Sequence, residues 1–265
     1  MGNLVGLLVV GNEILDGVVL DTNSQWIISR LKPMGFQVHE AITVKDSLPE
    51  IGRGLRRLME DGCDVVFTSG GLGPTHDDMT VQGVAKELSL PLELDPGALA
   101  VVARQYRTLY ERGVVESPEI TESRRKMALL PMGSTALDNE VGGAPGVMVE
   151  AGGSTIFCLP GVPRELMWIF EEQVAPVLRR SVHGAYAERI VALPLRDEST
   201  LAPIIDQVMA EFPGVYVKSL VKPYGERGIQ LWVSYKGGDA GEAERLVGEA
   251  VKRLTRLTEE RLPNG

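Results

Sequence analysis

The stretch Asp64-Val65-Val66-Phe67-Thr68-Ser69-Gly70-Gly71-Leu72-Gly73-Pro74-Thr75-His76-Asp77-Asp78-Met79-Thr80 sets the architecture of the chain. Its first half is apolar, β-branched and aromatic, the pattern of a short buried strand. The strand stops at three glycines and a proline, and helical spacing begins near Met79. Glycine lets a ligand approach the backbone closely, and amides in such a turn can face an anion. Two acids, Asp77 and Asp78, stand at the foot of the next helix. They suit a metal-bridged phosphoanhydride, or they cap the helix by accepting backbone N–H bonds.

Upstream, Leu4 to Val10 is a near-continuous apolar run, a central strand buried on both faces. Gly11 to Gly17 and Asp21-Thr22-Asn23 come next, then helical spacing at Ile27, Leu31 and Met34, with Gly35 closing the helix. Phe36 to Val44 reads as a second strand. Asp46 or Ser47 opens a helix carrying Leu48, Ile51, Leu55 and Leu58, which Gly62 ends. The order β-α-β-α-β-α predicts an α/β fold, a mostly parallel sheet with helices on both faces. In such a sheet ligands bind beyond the carboxyl ends of the strands. Glu13, Asp16, Asp46, Asp77 and Asp78 all fall just after strands, so they converge on one edge although scattered in sequence.

Downstream, helices are expected over 96–112 and 121–129, the second carrying Arg124-Arg125-Lys126, read chiefly as a solvated face. Strands 146–150 and 155–159 flank Ala151-Gly152-Gly153, a hairpin signal. Leu159-Pro160-Gly161-Val162-Pro163-Arg164-Glu165 is another strand-to-helix turn. Pro163 suits the first helical position and Glu165 the first turn, and the helix runs to about Arg180. The pattern changes near His183 to Ala187. Two domains are therefore expected, 1–182 and 188–258. The second reads as strand 189–193, helix 200–212, strands 215–221 and 228–235, and helix 241–257, a small α+β ferredoxin-like arrangement. Pro263 to Gly265 reads as a loose tail.

Composition narrows the function classes. A net charge of −9 over 265 residues argues against a nucleic-acid footprint. No apolar run is long enough to cross a membrane. Met1 to Val10 lacks the basic flank and small-residue cleavage site of a signal peptide and reads as a first strand. Cys63 and Cys158 stand far apart without a CxxC pattern, which predicts two reduced cysteines in a cytoplasmic protein.

Four blocks, taken together, resemble a known family. They are Gly11-Asn12-Glu13-Ile14-Leu15 with Asp21-Thr22-Asn23; Thr68 to Pro74 with Asp77-Asp78 and Thr80; Asn139 with Gly143-Ala144-Pro145-Gly146; and Leu159 to Pro163. In this order they are similar to the amino-terminal domain of the CinA (competence/damage-inducible) family, which has the MoaB/Mog molybdopterin-binding fold. The deamidase domain that longer relatives carry at the carboxy terminus is expected to be missing. The resemblance implies metal-dependent cleavage of ADP-ribose to AMP and ribose 5-phosphate. It also implies a small nucleotide-type ligand and a homo-oligomer, with no nucleic-acid or membrane partner. Magnesium, manganese or cobalt would serve as the divalent metal, with potassium a further candidate. Asp78 and Asp46 are the expected catalytic and metal-binding carboxylates. The backbone at Ser69, Gly70, Gly71 and Gly73 is expected to hold phosphate. Glu13, Asn23, Thr75 and Asn139 complete the expected substrate contacts. The alternatives are a protein of molybdenum cofactor biosynthesis that binds molybdopterin or transfers adenylyl groups, and a non-catalytic nucleotide-binding protein.

Overall fold

The structure is a computed structural model. It describes residues 2–180, 184–195, 198–220 and 228–261. In chain order the elements are β1 (Leu4–Val10), α1 (Asn12–Leu15), α2 (Thr22–Leu31), β2 (Gln37–Val44), α3 (Leu48–Glu60), β3 (Val65–Ser69) and α4 (Thr80–Glu87). Then come β4 (Leu92–Leu94), α5 (Pro96–Glu111), α6 (Glu122–Lys126), β5 (Leu129–Pro131), β6 (Thr135–Leu137), β7 (Gly146–Ala151), β8 (Ser154–Leu159) and α7 (Pro163–Ile169). A π turn, Phe170–Val174, leads into α8 (Ala175–Arg179). The remainder is β9 (Tyr186–Leu193), α9 (Glu198–Glu211), β10 (Val215–Leu220), β11 (Ile229–Lys236) and α10 (Ala240–Arg261). The chain divides into two compact units, residues 1–31 with 36–182, and residues 32–35 with 183–265.

The first unit is built on a six-stranded sheet of order β2-β1-β3-β8-β7-β6. β2, β1, β3 and β8 are parallel, and β7 and β6 turn back antiparallel. Side chains alternate across the pleat. Leu8, Val66 and Ile156 face Leu55, Leu58 and Val84 from the α3–α4 side. On the other side Phe67 and Phe157, partners in register, stack with ring centroids 5.3 Å apart, and Phe170 joins Phe67 at 5.8 Å. The parallel sheet covered on both faces is thus the α/β fold the sequence predicts. Cys63 and Cys158 are both free and buried, and burial pushes each thiol up to about 11.

The second unit is a three-stranded antiparallel sheet of order β10-β11-β9, with α9 and α10 against it. β11 lies between β9 and β10, the split β-α-β arrangement of a ferredoxin-like subdomain.

Several local expectations shift. α2 ends at Leu31, not Met34. The helix expected over 121–129 has only five residues, because the chain leaves it to pair Leu129–Pro131 with Leu92–Leu94. β4, β6 and the short α1 carry no clear sequence signal. Val221, His183 and the 263–265 tail lie outside the described residues.

Candidate functional site

Four parallel strands end on one edge of the sheet, and the segments beyond them line one cavity of about 430 Å³. Glu13 comes from the segment after β1, Asp46 from that after β2, and Gly70 to Pro74 with Asp77 and Asp78 from the turn after β3. Pro160, Gly161, Val162 and Glu165 come from the turn after β8. Tyr106 and Leu109 of α5, Met127, Gly143 and Ala144 supply a mostly apolar wall. A cavity of this size and mixed lining suits a ligand with a flat apolar body and a charged end.

The turn after β3 is held by short-range chemistry. Gly70 has φ +101°, and a Cβ there would lie 2.2 Å from the Val10 carbonyl oxygen. Thr80 Oγ1 donates to the Gly70 carbonyl at 2.8 Å. The Gly70 amide donates to the Leu159 carbonyl at 3.0 Å, while Gly71, Leu72 and Gly73 have no acceptor for theirs among the described residues. The unengaged amides of the turn therefore begin at Gly71, two residues beyond the expected start at Ser69. An unpaired amide row of this kind can face an anion.

Neither Asp77 nor Asp78 caps α4, which starts at Thr80 after Met79 without a side-chain cap. Instead Asp78 Oδ2 accepts from the Thr75 amide at 2.8 Å and from Thr75 Oγ1 at 2.6 Å. Thr75 Oγ1 also reaches Asp77 Oδ1. That bond, with a further backbone bond and the nearby His76 and Lys126, holds the Asp77 carboxyl below its usual range. Thr75 does not line the cavity, so the structure places it as the residue that orients Asp78. Asp46 is likewise left unengaged by its helix, because Ser47 caps α3 through the Glu50 amide. Asp46 Oδ2 accepts from the Asn12 amide at 2.7 Å.

Asn23 and Asn139, both expected to touch ligand, are engaged within the protein. Asn23 Nδ2 donates to Ser69 Oγ at 3.0 Å and to the Gly161 carbonyl at 2.8 Å, tying α2 to both turns. Its Oδ1 is buried without a partner. Asn23, Ser69, Gly70 and Glu13 line a smaller neighbouring cavity of about 100 Å³. Asn139 is fully buried. Its Nδ2 donates to the Ala144 carbonyl and to Glu165 Oε2, both at 2.8 Å, and its Oδ1 accepts from the amides of Val141 and Gly142. With no hydrogen-bonding capacity left over, Asn139 shapes the 139–146 loop and does not line the cavity.

Three residues at the site carry weaker sequence signals. Glu165, in the first turn of α7, lies half-buried in the cavity wall; burial pushes its carboxyl above the usual range and the Asn139 bond partly opposes that. Lys126 donates through Nζ to the Thr75 carbonyl, and burial lowers its pKa despite the neighbouring Asp78 and Asp77. Tyr106 is overlaid by Arg124, whose Cζ stands 3.9 Å from the ring centroid. The Arg124-Arg125-Lys126 run is thus only partly a solvated face, and its sequence offered that signal as a dense basic cluster.

Among the described residues no three His, Cys, Asp or Glu side chains gather as a cation cage. Asp46 and Asp78 line one cavity, and magnesium is commonly held by one or two carboxylates with water and substrate phosphate completing its shell. The donor set fits a cation of that kind and not a preformed cage.

A model of the probable molybdopterin binding domain matches residues 6–180. The chain belongs to that family. The match spans nearly all of the first unit's sheet and every residue of the cavity. Within the family the chain is CinA-like. It is 37% identical to the crystallised protein CinA of unknown function from Thermoplasma acidophilum, with a TM-score of 0.59 over 66% of this chain and 98% of that one. Relatives matched along most of their length include a protein of Aeropyrum pernix, 41% identical over 96% of this chain and 93% of that one. Another is from Pyrococcus horikoshii, 38% identical over 95% of this chain and 94% of that one. No helix among the described residues is long and apolar enough to cross a membrane.

Proposed function

We propose that the protein binds a phosphorylated pterin of the molybdopterin kind in the large cavity and acts at its phosphate end, as an adenylyl-transferring or phosphoanhydride-handling member of its family. The observation that carries this reading is the composition of one cavity: unengaged amides at Gly71 to Gly73, carboxylates at Asp46 and Asp78, and an apolar wall with Tyr106. The amides would hold phosphate oxygens by hydrogen bonds directed at developing charge. Asp78, oriented by Thr75, and Asp46 would hold a divalent cation together with the ligand's phosphate. When bound, that cation supplies charge neutralisation at the phosphoryl oxygens. Lys126 would hold the turn in place through the Thr75 carbonyl.

A second reading is cleavage of diphosphates of the ADP-ribose type. Water adds to one phosphorus and the bridging oxygen leaves, so that ADP-ribose gives AMP and ribose 5-phosphate. It is favoured by four carboxylates of the cavity lining, Glu13, Asp46, Asp77 and Asp78.

One experiment addresses both. The pure protein and an Asp78→Asn variant are titrated with a phosphorylated pterin, read by its fluorescence. They are also incubated with ADP-ribose and magnesium, manganese or cobalt, with and without potassium, and AMP is read by chromatography. Pterin binding without AMP supports the first reading; AMP from the wild type, lost in the variant, supports the second. Neither binding nor product removes both.

A further inference from the structure

We propose that Glu165 reads the ring of the bound ligand and selects a 2-amino-4-oxo heterocycle, pterin or guanine, over adenine. This rests on the cavity being a site for a phosphorylated heterocycle and sharpens which ring it takes.

The sheet order fixes the layout. Asp46 comes after β2, Glu13 after β1, the glycine turn after β3, and Glu165 after β8, in that spatial sequence along the edge. Adjacent strands lie about 4.8 Å apart. A phosphate on the Gly71–Gly73 amides therefore directs the rest of a ligand either back over the acids or forward past β8. The backward direction brings the ring against Glu13 and Asp46. The forward direction offers Tyr106, Ala144 and Val162 as walls, with Glu165 among them.

Glu165 is held for this task. Its Oε2 accepts from Asn139 Nδ2, and Asn139 is itself fixed by three further bonds. The Gly142 backbone lies over the carboxyl, so close that a Cβ there would sit 1.8 Å from the carboxyl carbon. Oε1 has no hydrogen-bond partner among the described residues. Among them, no lysine or arginine lines the cavity. A half-buried carboxylate without a cation is unfavourable unless donors reach it, and burial raises the Glu165 pKa although the Asn139 bond opposes it. A ligand that presents donors to the cavity would supply what the protein does not.

A 2-amino-4-oxo ring presents a ring N–H beside an exocyclic amine, two adjacent donors that match the two oxygens of a carboxylate. Adenine presents one amine beside a ring nitrogen that accepts. Its acceptor would face Glu165 oxygen to nitrogen, with no proton between them. A site built to receive donors rejects a ligand that lacks one more strongly than an apolar pocket could.

The test is calorimetric titration of the full chain, with magnesium, by GMP and by AMP, which share ribose and phosphate. A third arm, 6-hydroxymethylpterin phosphate, separates pterin from guanine as the preferred ring. GMP or the pterin should bind about tenfold or more tightly than AMP. Glu165→Gln should abolish or reverse the preference, because the amide can still accept from Asn139 through its oxygen and then turns its NH₂ toward the ligand. Thermal melting of the variant checks that the fold is kept. A residue serving only to anchor the 139–146 loop would weaken GMP and AMP alike and leave their ratio unchanged. Equal wild-type binding of GMP, AMP and pterin overturns the proposal, as does a wild-type ratio preserved in the variant. Failure of every ligand to bind overturns the proposed function as well.

Discussion

The turns after β3 and β8 meet at the cavity but are built by opposite means. The acids and glycines of the first are wired mainly by local side chains, Thr75 to Asp77 and Asp78 and Thr80 to Gly70, all within ten residues, with Lys126 and Leu159 adding bonds from farther away. The second is short and enters α7 through Pro163 without a side-chain cap. Its cavity-lining carboxylate, Glu165, is held from 26 residues away by Asn139, whose carbonyl accepts in turn from Gln105 of α5 at 2.7 Å. A locally wired turn keeps its shape when the surrounding protein loosens. A turn held at long range depends on the whole layer beneath it. On the proposed function the first would take the invariant part of a ligand, its phosphate, and the second the part by which ligands differ.

The largest expected effect tests the long-range side. Asn139→Ala removes four hydrogen bonds and leaves two amides and a carbonyl unpaired in a partly buried loop. It should cost about 4 kcal/mol in urea unfolding. Gly70→Ala attacks the local side through a clash with the Val10 carbonyl and a positive φ, and should cost about 3 kcal/mol by the same measurement.

Asp78→Asn should leave the melting temperature nearly unchanged, because the amide oxygen can still accept from Thr75. Magnesium-dependent ligand affinity or turnover should fall about a hundredfold. A large stability loss instead would mean that Asp78 serves the turn and not the ligand.

Glu165 gives a pH signature. Its folded pKa is raised, chiefly by burial, above the ordinary 4.5. The protonated form is the one the fold favours, so this contribution to stability is fully present below that value and is lost as pH rises through the folded pKa. Glu165→Gln removes the loss. Melting temperatures of variant and wild type, compared at pH 4 and pH 8, should shift in the variant's favour at the higher pH. The smallest effect is expected at Gly161, where a Cβ meets only the Gly70 Cα at 3.4 Å. Gly161→Ala should change stability by no more than about 0.5 kcal/mol, although its turn looks as glycine-dependent as the first when read from sequence.

That last contrast shows what the sequence could and could not convey. The β-α-β-α-β-α order was legible because β1 and β3 are buried nearly throughout and read as apolar runs, while the edge strand β2 alternates between exposed and half-buried positions. Asp46, Glu13 and Asp78 were legible as edge residues because they come soon after strands. The role of Asn139 was not, because an asparagine beside glycines is equally consistent with a ligand contact and a loop clamp, and only its burial decides. Glu165 read as a first-turn helix acid, since nothing local announces that the 139–146 loop folds over it. The helix over 121–129 was overestimated because the pairing of β5 with β4 spans 35 or more residues and has no local trace. The π turn in the α7–α8 segment inserts a residue into the helical repeat, so a count by 3.6 from Leu166 drifts off Val174 and Leu178.

The crowding at Gly70 also bears on how variation at this site should be interpreted. The Cα of that residue stands where the ends of β1, β3 and β8 converge, with Val10, Leu159 and Gly161 all close to it. In a saturation library only glycine should survive there, whether the library is sorted for solubility or for ligand. Invariance at the most site-like position of the chain is therefore silent about chemistry. Position 165 behaves in the opposite way: Gln should pass a sort for solubility and fail one for the pterin, so the informative signal lies in the difference between two sorts and not in either alone.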